Sequence, residues 1–154
     1  MEKNLTLADY QSLAEFRHQI RRFLHFSEHA ARNAGLEPRQ HQLMLALKGL
    51  PAHVRPRIAE LAQRLQIQHH SAVELVNRLE AGGLVRRARG KEDKREVLLE
   101  LTARGEKLLR ELSLYHRAEL RSQGPALLEA LQNVMLGGRV RSRKGSSQLN
   151  ARER

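Results

Sequence analysis

The chain has 154 residues, the length of one domain, and no cysteine, which excludes disulfides and thiol redox sensing. No apolar run approaches a membrane span, and Met1-Glu2-Lys3-Asn4 lacks the basic-then-apolar pattern of a signal peptide, so a cytoplasmic protein without membrane partners is expected. Lys and Arg number 28 against 17 Asp and Glu, a net charge of +11 that points to a polyanionic partner, nucleic acid before an acidic lipid surface.

Hydrophobic residues make up 40% of the chain and aromatics only 3%, so the core must be aliphatic. A long helix is predicted from Leu7 to Ala34, where Leu13, Phe16, Ile20, Phe23 and Leu24 recur at intervals of three and four. Asp9 in its first turn suits the helix dipole, and Gly35 is the expected left-handed stop. Such a helix has more apolar surface than a small lobe can cover, which predicts packing on a partner chain. The next helix starts at Leu36-Glu37-Pro38, with Pro38 near its first position. It carries Leu43, Leu45, Ala46 and Leu47, which predicts a central place, and ends at Gly49-Leu50-Pro51.

After a connector from Pro51 to Pro56, the stretch from Ile58 to Thr102 organises the chain. Its first helix places Ile58, Leu61, Ala62 and Leu65 on one face. Its second, from His69 to Ala81, places Ala72, Leu75, Val76 and Leu79 on one face and His69, His70, Val73, Glu74 and Asn77 on the other. Gly82-Gly83 stops it. Leu84 to Arg87 then reads as one strand and Val97 to Leu101, alternating with period two, as another. Between them, Ala88 to Glu96 forms a basic loop with Gly90 at the turn and Arg89, Lys91, Asp93, Lys94 and Arg95 at the tip. Two helices followed by a basic hairpin make a winged helix-turn-helix, whose second helix must enter a major groove.

These residues resemble the MarR family of winged-helix transcriptional regulators. The resemblance is carried by Leu61-Ala62-Gln63-Arg64-Leu65, Val76-Asn77-Arg78-Leu79-Glu80, Gly83-Leu84-Val85, Asp93-Lys94-Arg95 and Leu101-Thr102-Ala103-Arg104-Gly105. Asp93 and Arg95 match the family's Asp-x-Arg wing signature; Leu101, Thr102 and Gly105 match its Leu-Thr-x-x-Gly. The resemblance covers about Leu13 to Leu136 and is strongest from Ile58 to Gly105. It implies that His53-Val54-Arg55 is a minimal strand pairing with the wing, and that the first and last helices make a homodimer.

A second long helix starts at Thr102 as N-cap, with Leu108, Leu109, Leu112, Tyr115 and Leu120 at helical spacing. Gly124-Pro125 is expected to break it, leaving Ala126 to Leu136 as a further short helix. The expected fold is therefore mostly α with a small β wing. One winged-helix domain covers 1–136, with dimerisation helices over about 7–34 and 102–136 and a DNA-binding lobe over about 53–101. Residues 137–154 hold six Lys and Arg against one Glu and no apolar periodicity, and read as a disordered basic tail that adds sequence-independent affinity.

The DNA-binding residues expected are Gln68, His69, His70, Ser71, Val73, Glu74, Asn77 and Arg78 on the recognition helix, and Arg86, Arg89, Lys91, Asp93, Lys94 and Arg95 on the wing. His69 and His70 either touch bases or phosphates, the reading adopted, or one caps the helix or is simply solvated. Glu74 either accepts from a cytosine amino group or pairs with Arg78. Arg86 and Arg87 are phosphate contacts or plain strand charges. Asp93, acidic beside DNA, should orient a neighbouring arginine, and Arg95 should reach the minor groove.

The resemblance also implies an effector cleft between dimer helices and winged lobe, with Phe26, His29, His41, Leu45 and His116 as candidates and a small aromatic or phenolic compound as ligand. His25 and His29 are four apart, the spacing of two metal ligands on one helix face, but solvated or capping histidines are the reading adopted, and no metal or cofactor is expected. There is no phosphate loop or nucleophile elbow, and Ser71, His70 and Glu74 lie along one helix rather than converging, so no enzyme is expected. The function expected is a sequence-specific duplex-DNA regulator, a repressor, acting as a homodimer on a near-palindrome and relieved by a small molecule. The alternative is an architectural or non-specific nucleic-acid-binding winged helix without an effector.

Overall fold

The computed structural model describes residues 4–137. Apart from Gly137, the tail expected over 137–154 lies outside them. The elements are α1 (Leu7–Asn33), α2 (Pro38–Lys48), α3 (Ile58–Leu65), α4 (His69–Ala81), β1 (Val85–Arg89), β2 (Val97–Leu101) and α5 (Ala103–Met135).

Local chemistry sets most boundaries. Asp9 does more than meet the dipole: its carboxylate accepts the Thr6 N–H at 2.8 Å while Thr6 Oγ1 accepts the Asp9 N–H at 3.3 Å, a reciprocal cap on α1. At the other end Gly35 takes φ +79°. Its N–H donates to the Arg32 carbonyl at 3.0 Å, and the Leu36 N–H donates to Ala31 at 2.9 Å. This closes the last turn and drops Leu36 into the core. Pro38 opens α2 where no helical N–H is needed.

α2 is central: it packs on α1, α3, α4, α5 and β2, with Leu43, Met44 and Leu47 buried. Around it Leu61, Leu75, Val76, Leu79, Leu84, Val85, Leu99, Leu109 and Leu112 complete an aliphatic core. The faces read from α3 and α4 are the buried ones, with Ile58 and Leu65 partly covered. The turn between α3 and α4 runs through Gln66 at φ 53°, a left-handed conformation that costs a non-glycine residue about 1–2 kcal/mol.

β1 and β2 pair antiparallel, from Val85 opposite Leu101 to Arg89 opposite Val97. Ala88 and Arg89, expected in the loop, are strand residues, because the ladder continues until Gly90 turns the chain. Only Leu99 of β2 is buried; Val97, near the tip, extends past the lobe and is exposed. His53 and Val54 form a turn and a bend and Arg55 is irregular, so the expected strand is absent. Pro51 and Pro56 flank it, and proline cannot donate to a ladder. Among the described residues a single backbone bond joins connector to wing, from the Leu99 N–H to the Pro56 carbonyl at 2.8 Å.

Thr102 caps α5, accepting the Gly105 N–H at 3.0 Å and donating its hydroxyl to the Gly83 carbonyl at 2.6 Å. The expected break at Gly124-Pro125 is absent: α5 runs unbroken from Ala103 to Met135 with Pro125 inside. Proline removes one helical bond, but both sides of it pack along α1. Arg22 donates to Gln123 at 3.2 Å, Gly124 and Leu127 face the middle of α1, and Val134 faces Leu5 and Leu13. That continuous contact outweighs one lost bond. Among the described residues no helix is long and apolar enough to cross a membrane.

Candidate nucleic-acid interface

The packing that buries one face of α4 leaves Gln68, His69, His70, Glu74, Asn77 and Arg78 exposed, with Ser71 and Val73 half-buried. The wing approaches the N-terminal end of this helix. His69 lines one cleft of about 440 Å³ with Asp93, Arg95 and Val97 of the wing and with Arg57 and Ile58 at the start of α3. The tertiary structure thus brings together recognition-helix and wing residues that stand 24 and 26 positions apart in the sequence (69 against 93 and 95). Asp93 orients Arg95 through the backbone, its carboxylate accepting the Arg95 N–H at 2.9 Å.

The basic residues divide into two sets. Arg78 reaches Glu37 at 3.1 Å rather than Glu74, tying α4 to the start of α2 and leaving Glu74 exposed. Arg86 pairs across the strands with Glu100 at 2.7 Å. Arg87 pairs with Glu80, and its Nη2 donates to Asn77 Oδ1 at 2.7 Å, so β1 is tied to α4 through one of the expected base-reading residues. Arg89 donates to the Lys94 carbonyl at 3.0 Å and closes the loop. Lys91, Lys94 and Arg95 are exposed, and among the described residues none of them pairs with a carboxylate.

Reading the sequence missed Arg55, Arg57 and Glu96. The Glu96 side chain is 8% exposed and receives both guanidinium groups; Arg55 also holds Glu92 at 2.7 Å. Burial pushes the Glu96 carboxyl up, but the hydrogen bonds from Arg57 and Arg55 outweigh it and hold the group below its ordinary value. The same bonds raise Arg55. The available signal was two arginines around Pro56 and the acidic Glu92 and Glu96 in the wing loop.

The effector candidates separate. Phe26 and His29 line a cleft of about 470 Å³ between α1 and α5, with His18, Arg22, Tyr115 and Leu127 among its walls. His41 and His116 lie as a stacked pair with ring centroids 4.9 Å apart, and the edge of the Phe26 ring meets His116 at 5.6 Å. His116 Nδ1 donates to the Leu112 carbonyl at 2.6 Å, and Nε2 faces the Ser27 hydroxyl at 2.8 Å. His41 is 3% exposed and its Nε2 has no partner among the described residues. Burial, and then the neighbouring His116, push its pKa down to about 4. Leu45 lies apart, half exposed in a groove with Lys48 and Glu106. His25 and His29 do share a face, with near-parallel rings 6.3 Å apart. Among the described residues no three His, Asp or Glu side chains converge as metal ligands would.

The sequence model of the MarR family matches residues 34–96, from the end of α1 through the wing loop. No curated protein matches the chain by sequence. Solved structures do match by fold. AbsC, a MarR family transcriptional regulator from Streptomyces coelicolor, is 23% identical with a TM-score of 0.68, over 86% of this chain and 90% of its own. The transcriptional repressor CouR bound to a 23-mer DNA duplex is 26% identical with a TM-score of 0.60, over 86% and 99%. CouR from Rhodococcus jostii RHA1 bound to p-coumaroyl-CoA is 21% identical with a TM-score of 0.57, over 73% and 82%. The family match over residues 34–96 and the fold shared along the described chain make this protein similar to the MarR family of winged-helix regulators.

Proposed function

We propose that the protein is a sequence-specific duplex-DNA-binding transcriptional regulator, a repressor, acting as a homodimer on a near-palindromic operator. The observation that carries this is the shared cleft of His69 and Arg95. It joins an exposed recognition-helix N-terminus to a wing whose Lys91, Lys94 and Arg95 remain available to phosphates. CouR, similar in fold, has been solved on a DNA duplex, which supports the same docking here. In this docking α4 reads base edges in the major groove, and Arg95 enters the adjacent minor groove. Arg78, Arg86 and Arg87 serve as internal ties, and the base-reading set narrows to Gln68, His69, His70, Ser71, Val73 and Glu74.

The homodimer is supported by apolar residues left exposed at the two ends that meet. Among the described residues Leu5, Leu7, Tyr10 and Leu13 at the start of α1, and Leu128, Leu131, Met135 and Leu136 at the end of α5, are exposed. In the dimer, recognition helices about 34 Å apart would meet successive major grooves. The cleft between α1 and α5 suits a small aromatic or phenolic effector, its apolar walls rimmed by His18, Arg21 and Arg22. The effector relieves repression only by binding one helix spacing better than the other.

The test is footprinting on a duplex selected by the wild-type protein from a randomised pool, followed by titration of His70→Ala on that duplex, on point-substituted versions and on a scrambled duplex at matched salt. A discrete footprint is expected, with a loss of about 1–3 kcal/mol at one base pair and unchanged non-specific binding. Equal weakening on every duplex would make His70 a phosphate contact. No discrete footprint would replace the regulator with an architectural protein.

A further inference from the structure

A wing loop such as Gly90 to Glu96 normally owes its direction to the twist of two short strands alone. Here it has an anchor. Its ends are closed by the Gly90 N–H to the Glu96 carbonyl at 2.9 Å, and the Glu96 N–H donates to the Asp93 carbonyl at 3.1 Å. The Glu96 side chain folds under the loop. Only glycine leaves room for it: a Cβ on residue 90 would lie 2.6 Å from the Asp93 carbonyl oxygen and 3.0 Å from Glu96 Oε2. The carboxylate is then gripped by Arg55 and Arg57, and Arg55 also holds Glu92. These arginines flank Pro56, whose carbonyl accepts the Leu99 N–H, and they lead directly into α3. The wing is thus tied by side chains and backbone to the segment that carries the helix-turn-helix. Arg95, the residue just before Glu96, stands in the cleft with His69 and Arg57.

We propose that Glu96 is a positioning residue for DNA binding: clamped by Arg55 and Arg57, it holds the wing so that Arg95 is aimed at the minor groove while α4 occupies the major groove. The inference rests on the function proposed above. An arginine aimed in advance loses less freedom on binding than one on a loose loop. A carboxylate beside DNA would by itself repel phosphates. Covered by two guanidinium groups it does not, and its burial without them would be costly.

The test is a double-mutant cycle on the duplex selected by the wild-type protein. Glu96→Gln keeps the shape and removes the charge. It should weaken binding about tenfold in the wild-type background and less than about twofold beside Arg95→Ala, because its effect passes through Arg95. Arg55→Met opens the clamp from the other side without touching the wing and should show the same coupling. It also carries the test should Glu96→Gln fail to fold, as judged by circular dichroism and thermal unfolding. Hydroxyl-radical footprints of both variants should lose protection at the wing-proximal minor groove and keep it in the major groove. Equal losses with and without Arg95 would overturn the proposal, leaving Glu96 a purely stabilising residue. So would tighter binding to all duplexes with a steeper salt dependence, which would make the clamp a shield over two DNA-binding arginines. A silent Arg95→Ala would overturn it as well. Absence of any wild-type footprint would bring down both readings, and the wild-type control tells that case from the others.

Discussion

His41 is a buried imidazole with an unpartnered nitrogen, stacked on His116 in a chain poor in aromatic residues. Its pKa lies at about 4 in the folded protein against 6.5 when free. Above the free value both states are neutral and pH has no effect through this group. As pH falls through the interval, the unfolded chain takes up the proton first, so the contribution of His41 to stability declines until about pH 4 and then levels off. The full shift corresponds to at most about 3 kcal/mol. His41→Leu removes both the titration and the orphaned nitrogen, whose desolvation costs about 1–3 kcal/mol. Urea melts should therefore show the variant at least as stable as wild type near neutral pH and with a shallower slope than wild type as pH falls from 6.5 toward the carboxylate range, where the lowered Glu96 carboxyl adds its own loss. A wild-type acid slope retained in the variant would assign the titration to another group.

At the scale of elements, the join between β1 and α5 depends on contact as close as any in the lobe. The Thr102 N–H donates to the Leu84 carbonyl at 3.0 Å, and the first turn of α5 lies against that same carbonyl. A Cβ on Gly105 would lie 2.1 Å from the Leu84 oxygen and 3.0 Å from its carbonyl carbon. Gly105→Ala should gain about 1 kcal/mol from helix propensity and lose about 3 kcal/mol, the upper end for overpacking, from the forced shift against backbone, so the clash wins. A net loss of stability in thermal unfolding is the expected outcome; a gain would show that strand and helix part without cost. The glycine of the Leu-Thr-x-x-Gly motif is thus explained by close backbone approach, and its φ plays no part.

For the whole molecule, the exposed apolar ends of α1 and α5 decide the assembly. Removing α1 would be a poor probe, because Ala30 and Ala31 belong to the core. Leu13→Glu combined with Leu131→Glu leaves that core intact and places charges on the uncovered face. Sedimentation should show the wild type as a dimer and the double variant as a monomer with unchanged helix content. Its affinity for a palindromic duplex should fall by a factor of about 100 or more, since a second half-site then binds as a separate molecule. A monomeric wild type, or a double variant that still dimerises, would place the interface elsewhere.

What the sequence determined by itself is whatever acts within a turn or two of helix. The reciprocal cap at Thr6 and Asp9, the left-handed Gly35, Gly83 after α4 and Thr102 before α5 each satisfy backbone groups a few residues away, and Pro38 at the start of α2 removes an N–H that would have no partner. The buried faces of α3 and α4 follow from spacing alone, and together with the Asp93 to Gly105 signatures they made the fold and the family resemblance legible. The tertiary structure decided which surfaces meet, and hence which charges are free. Arg78 found Glu37, 41 positions away, over Glu74 on its own helix. Arg55 and Arg57 found Glu96, 41 and 39 positions away. The same holds for Pro125, where a strong local stop yielded to packing along α1 on both sides, and for Leu45, an apolar residue in a central helix that faces outward. An ion pair or a buried face gains its energy from a partner that spacing along the chain does not specify, so the division of the arginines between internal ties and DNA contacts emerges only when the helices are packed.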